Sequence, residues 1–135
     1  VNKNKPLYSL DRHPHFFIGE KPEYICFADG TIVPVKTWRQ AAQCILQDCN
    51  ADPICHENLL KLRDSGIMSG RQRYFLCSDP ARMDSPLQIG DSLYFEGYFG
   101  TEMLLTILCR TLKYAGYDYS GIRFQLRERE LGPSL

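Results

Sequence analysis

Charge of one sign is not in excess here. Sixteen Lys and Arg face sixteen Asp and Glu across 135 residues, for a formal net charge of zero. No global field draws nucleic acid or an anionic membrane toward such a chain, so charge-driven binding has to be local. Long apolar runs are missing too. No stretch approaches the roughly 20 apolar residues of a membrane-spanning helix, and the first twenty residues lack the apolar centre of a signal peptide. Internal repeats and low-complexity segments are absent, and tryptophan occurs once. Nothing rises to a catalytic or cofactor signature, and no cofactor or membrane partner is expected. A start at Val1 rather than Met reads as an excised or processed domain, whose parent chain could hold chemistry that this piece lacks.

Six cysteines are present, an even number that in a small secreted protein would suggest bridges. Cys26, Cys44, Cys49 and Cys109 sit among apolar residues at strand or helix spacing, where a free thiol packs as a small hydrophobe. Reduced core cysteines, and hence a reducing cytoplasm, are the expectation. Cys44, Cys49, Cys55 and His56 do not read as a metal set, because they spread over two helices and a turn rather than pairing two to four residues apart. His13 and His15 lack a third ligand and read as surface histidines. No metal site is expected.

The remaining residues organise one domain, long enough to bury a core without staples. Residues 1–20, with Pro14 and Gly19 interrupting the apolar positions, read as an arm over a domain spanning 21–130, and 131–135 as a tail. Tyr24 to Val35 predicts a β-hairpin turning at Asp29-Gly30, with Pro34 at an edge. Thr37-Trp38-Arg39-Gln40 has the form of a capping box. The residues Trp38, Ala41, Ala42, Ile45, Leu46 and Cys49 then make one stripe facing a core. Asp52-Pro53 opens a second, thinner helix ending near Gly66. A strand follows near Phe75-Leu76-Cys77, and a loop through Asp79-Pro80 and Ser85-Pro86.

Ile89 to Leu126 is the organising stretch, an aromatic run, a broad-faced helix between Gly100-Thr101 and Gly116, and an alternating strand at Ile122, Phe124 and Leu126. Leu104, Leu105, Leu108, Leu112 and Ala115 form the helix stripe, widened by Met103, Ile107 and Cys109. The predicted class is α+β, or α/β. Its layout is an N-terminal β-hairpin, two helices, then a strand and a β-α-β unit, forming a mixed sheet packed on helices.

The run Gly70-Arg71-Gln72-Arg73-Tyr74-Phe75, Ser78-Asp79-Pro80, Arg82, Ser85-Pro86, Leu93-Tyr94-Phe95-Glu96, Leu108 to Leu112 and Gly116-Tyr117 carries a resemblance. With the hairpin and the Thr37-Trp38 helix start, it resembles a small α/β module appended to bacterial restriction, mobile-element and other DNA-linked proteins. The likeness spans roughly Tyr24 to Arg127. Such modules have Tyr-Val-Glu-Thr-Asn and then a serine before the last helix, whereas this chain has Tyr94-Phe95-Glu96-Gly97-Tyr98 and Gly100. A polar site at that strand end is thereby altered. The resemblance implies a place in a bacterial DNA-linked or defence system, which is fold-level analogy.

Between Lys61 and Arg82, five basic residues face two acidic ones. This supports the leading expectation, a non-catalytic recognition module for nucleic acid. Arg71, Arg73 and Arg82 supply forked bonds to phosphate, Tyr74 and Tyr98 stack on unpaired bases, and Arg123 and Arg127 extend the patch along the sheet. The alternative is a protein-interaction module, whose partner is another protein or a parent-chain domain, docking on the phenols of Tyr94, Tyr98, Tyr114, Tyr117 and Tyr119 or on an exposed hairpin edge. A small metal-dependent nuclease is the third reading. Against it, Asp79, Asp84, Asp91 and Glu96 lack the Asp…Glu-x-Lys arrangement of a restriction-type core. Cys55 and His56 are neighbours on a helix and point apart, which disfavours a cysteine nucleophile.

Overall fold

The computed structural model describes residues 1–65 and 74–129. In chain order its strands and helices are β1 (Tyr8–Ser9), β2 (Pro22–Cys26), β3 (Ile32–Pro34), α1 (Trp38–Ala51), α2 (Pro53–Ser65), β4 (Leu76–Cys77), β5 (Pro86–Gly90), β6 (Leu93–Glu96), α3 (Thr101–Ala115) and β7 (Arg123–Leu126). Short 3₁₀ turns occupy Pro14–Phe17 and Pro80–Arg82. The class is α+β, with sheets packed on helices.

The helix ends follow local chemistry. Thr37 Oγ1 accepts from the Gln40 amide at 3.1 Å, while Gln40 Oε1 returns to the amide of Lys36 at 2.7 Å, one residue before the expected Thr37. Asp52 ends one helix and starts the next: its amide donates to Cys49 O, and its carboxylate accepts from the Cys55 amide at 2.9 Å. Gly116 stops α3 at φ +77°, and the Tyr117 amide reaches back to Leu112 O, the glycine-terminated helix end that a Cβ would strain.

Two antiparallel sheets replace the single mixed sheet expected from sequence, one ordered β1-β7-β2-β3 and the other β4-β6-β5. The strands on either side of α3 therefore lie in different sheets. β6 already has β4 on one side and β5 on the other, which leaves no edge for β7. The strand β5 begins inside the loop expected through Ser85-Pro86. Proline is tolerated there because β5 is an edge strand. The β2–β3 hairpin forms, but with a three-residue loop: the Phe27 amide donates to Thr31 O and the Gly30 amide to Phe27 O. Within this loop only Gly30 takes a positive φ, as a three-residue loop requires, and the Asp29 carboxylate accepts from the Thr31 amide at 2.8 Å.

The expected α1 stripe is buried throughout. Trp38 meets Phe17 and Phe124 edge to face at 5.1 Å from each, with 5.8 Å between the two phenylalanines, and its indole N–H donates to Glu20 O. Phe17 belongs to the segment read as an overlying arm. That segment is instead built in: β1 pairs with β7, and Leu10 and Phe17 lie in the core. The main α3 stripe is buried as read; of the residues that widen it, Ile107 is buried, Cys109 is half-buried and Met103 faces outward.

All six cysteines are free thiols, and Cys49, Cys55 and Cys77 are buried. Burial pushes the Cys26, Cys44, Cys49 and Cys55 thiols up, and Cys109 up to about 11, so these sulfurs are poor nucleophiles near neutrality. Among the described residues no cluster of His, Cys, Asp or Glu could hold a metal ion, and no helix is long and apolar enough to cross a membrane.

A row of amides joins α1 to β5. Gln43 and Gln47 both donate to Gln88 O, at 3.0 and 3.1 Å, and Asn50 donates to Ile89 O at 3.1 Å. Gly90 lies so close to Asn50 that a Cβ would come within 2.3 Å of its Nδ2. His56 completes the row through Nδ1 and Asn50 Oδ1 at 2.7 Å, so its imidazole serves structure.

Candidate nucleic-acid interface

Glu96, the last residue of β6, is fully buried and has no cationic partner among the described residues. Its carboxylate accepts instead from three backbone amides: Asp84 at 3.0 Å on Oε2, and Ser85 at 2.9 Å and Tyr98 at 3.0 Å on Oε1. The Gly97 amide adds a bond to Ser85 O at 2.8 Å. The entry to β5 and the exit from β6 are thus tied to one side chain. Gly97 is packed tightly, since a Cβ there would stand 2.9 Å from Leu87 Cδ1 and 3.1 Å from Ser85 O. Tyr98 emerges from this clamp 59% exposed. Beside it, Arg39 Nε donates to Gly97 O at 2.8 Å and sets the guanidinium 5.9 Å from the Tyr98 ring.

The other side of the same sheet end carries a second pair. Phe75 O accepts from the Glu96 amide, and the Phe75 ring meets Phe99 edge to face at 5.5 Å, which fixes the chain next to Tyr74. Asp79 caps the turn that presents Arg82, accepting from the Ala81 amide at 3.0 Å. The Arg82 guanidinium lies 5.8 Å from the Tyr74 ring and 3.9 Å from Asp79 Oδ2, with both charges largely exposed. The ion pair there is weak, and the guanidinium remains open to solvent on its other edges.

Of the seven residues singled out by sequence, the fold therefore brings Tyr74, Arg82 and Tyr98 to one end of the β4-β6-β5 sheet. Arg71 and Arg73 lie outside the described residues. Arg123 and Arg127 do not extend this patch, because β7 belongs to the other sheet. Arg123 stands opposite Ser9 and Cys26 between β1 and β2, and the Arg127 amide pairs with Lys21 O. Near it, Glu23 is held below the usual carboxylate range by hydrogen bonds from Lys5 and Gln125, with Arg127 adding a lesser pull.

Arg39 was missed by sequence reading, although a signal was there. It sits in the first turn of α1, which holds no acidic residue, and a cation near a helix N-terminus opposes the helix dipole. Its position is explained by what it grips across the sheet end. The role of Glu96 was missed because a strand's alternation says nothing about which loop amides will gather around its last side chain.

The phenols do not form one face. The Tyr117 hydroxyl donates to Asp48 Oδ2 at 2.5 Å, and its ionisation is pushed far up, first by burial and then by the Asp48 carboxylate. Tyr119 is pushed up by burial, with Cys109 beside it. Tyr98 and Tyr114 are the exposed members. A pH dependence follows for Tyr117. Its folded value lies above the unfolded one of about 10, so the stability it contributes is complete below about pH 10 and is lost as pH rises further. Urea titrations of the wild type are expected to show stability falling above that pH. Tyr117→Phe is expected to be less stable at neutrality and to lose part of the alkaline fall. An identical alkaline fall in the variant would remove Tyr117 from the account.

No family model matches this chain, and no curated protein or solved structure is significantly similar to it.

Proposed function

We propose that this chain is a non-catalytic recognition module that binds a nucleic-acid strand at the end of the β4-β6-β5 sheet, within a bacterial DNA-linked system. The observation that carries the reading is the pair of exposed arginine–tyrosine couples, Arg39 with Tyr98 and Arg82 with Tyr74, placed on either side of the Glu96 clamp. Tyrosine rings offer a platform on which an unpaired base stacks, and guanidinium edges meet phosphate oxygens. The pairing of ring and cation at each position suits a single strand better than a duplex, whose bases are already stacked. Arg71 and Arg73 adjoin Tyr74 in sequence and would add phosphate contacts. A non-catalytic role is supported by the carboxylate at the centre, which is sealed and bonded to amides rather than open to a metal or substrate.

Fluorescence anisotropy with labelled single-stranded DNA, single-stranded RNA and duplex DNA, at low and moderate salt, tests this. Saturable binding that prefers a single strand and falls steeply with salt is expected. Tyr98→Ala should weaken it by about fivefold to a hundredfold, the range of about 1–3 kcal/mol per stacked base, and Arg82→Ala should lower both the affinity and the salt slope. Arg123→Ala, on the other sheet, should leave it unchanged. Absence of binding at low salt would sink the proposal.

One observation favours a second reading, a docking surface for protein. Ile18 and Met103 are both about half exposed and share a shallow, largely apolar depression at the start of α3. Salt-tolerant association with a protein, insensitive to Tyr98→Ala, would support that reading.

A further inference from the structure

A groove of about 640 Å³ runs between residues 10–14 and one face of α3, away from the sheet end described above. Its volume falls within the range of about 300–1,000 Å³ typical of small-molecule sites. Three cations line it: Arg12 from the N-terminal segment, and Arg110 and Lys113 from α3. The two α3 residues are three apart and so lie on one helix face. Two carboxylates, Asp11 and Glu102, also line the groove, so the cations exceed the anions by one. Asp11 accepts from Ser9 Oγ at 2.7 Å, and Glu102 lies 3.7 Å from His15 Nδ1. Among the described residues, the side chains of Arg12, Arg110 and Lys113 form no ion pair or hydrogen bond.

Arg12 is also held in place. Its guanidinium carbon lies 4.0 Å over the Phe16 ring and 5.5 Å from the Tyr8 ring, contacts that restrain the side chain. A pre-oriented fork costs less ordering on binding than a mobile chain, and it matches a tetrahedral oxyanion. The rest of the lining supplies a different chemistry. Leu10, Pro14, Cys109 and the Tyr119 ring give the groove an apolar stretch beside the cations.

We propose that this groove is a binding site for a small phosphorylated organic molecule of mononucleotide size. Its phosphate is held by Arg12, Arg110 and Lys113, and its organic part lies against Tyr119 and Leu10. A phosphate fits better than a simple carboxylate because three separate cations line the groove against two carboxylates, and a phosphate offers three acceptor oxygens and up to two charges. The site is independent of the nucleic-acid reading and shares no residue with it.

Isothermal titration calorimetry of the full chain tests the assignment, with adenosine monophosphate, inorganic pyrophosphate and adenosine as probes. Saturable binding of adenosine monophosphate is expected, with weaker binding of pyrophosphate and none of adenosine. Arg110→Met and Lys113→Gln sit on the exposed helix face, and each should weaken adenosine monophosphate about tenfold or more, the scale of one charge-assisted hydrogen bond. Unchanged circular dichroism would show that each variant still folds. Tyr98→Ala and Arg82→Ala should leave this binding intact, which separates the groove from the sheet end. Failure of both phosphate probes to bind would overturn the proposal, as would equal affinity for adenosine. Should an oligonucleotide displace adenosine monophosphate and lose affinity in Arg110→Met and Lys113→Gln, the groove would be a strand's phosphate contact instead.

Discussion

Replacing Glu96 with leucine is expected to cost about 3 kcal/mol or more, since three backbone N–H groups lose a charged acceptor that each bond makes stronger than average. Glu96→Gln gives the informative contrast. Its amide oxygen can take the place of Oε1 and keep the Ser85 and Tyr98 bonds, while its NH₂ group faces the Asp84 amide, donor against donor. Its loss should therefore be about half that of the leucine variant. Urea unfolding followed by circular dichroism measures both. The order wild type, glutamine, leucine is the expected result. Equal stability of all three would mean that water serves these amides as well as the carboxylate does. Because the Tyr98 amide is one of the three, strand binding should weaken along the same order.

Phe17→Ala is expected to be of similar size, about 3–5 kcal/mol, the range for removing a fully buried aromatic side chain. Its edge-to-face contacts to Phe16, Trp38 and Phe124 are lost together. Phe16→Ala, one residue earlier and partly exposed, should cost less than half as much. Thermal or urea melts of the pair decide whether residues 1–20 belong to the cooperative unit. A Phe17→Ala loss near that of Phe16→Ala would mean that the segment detaches before the rest unfolds.

Local chemistry made much of the fold legible. Thr37 and Gln40 announced α1, Asp52-Pro53 announced α2 and Gly116 ended α3, because capping depends on residues within one turn of each other. The Trp38 stripe was equally plain, since burial on one helix face writes a period into the sequence. Sheet membership was not. Whether Phe124 pairs beside Phe95 or beside Ile25 depends on which strands already flank β6, and no local pattern encodes that. The same gap splits the expected basic patch: Arg123 and Arg127 extend it along the sheet only if β7 and β6 share one, and they do not. Within the candidate site, Tyr74, Arg82 and Tyr98 were legible as surface aromatics and cations near strand ends. Arg39 and the clamp role of Glu96 needed the fold, since their partners lie far away in sequence.

The amide row on β5 has a bearing on self-association. An edge strand normally advertises its free carbonyls to any passing chain, and neighbouring molecules can extend it indefinitely. Here Gln43, Gln47 and Asn50 already occupy the carbonyls of Gln88 and Ile89. At the margin of the other sheet, Pro34 withholds a donor from β3. The molecule thus has one edge spoken for and another with a gap in its bonding pattern, which leaves the arginine–tyrosine end free to evolve aromatic exposure without inviting fibrous growth along β5.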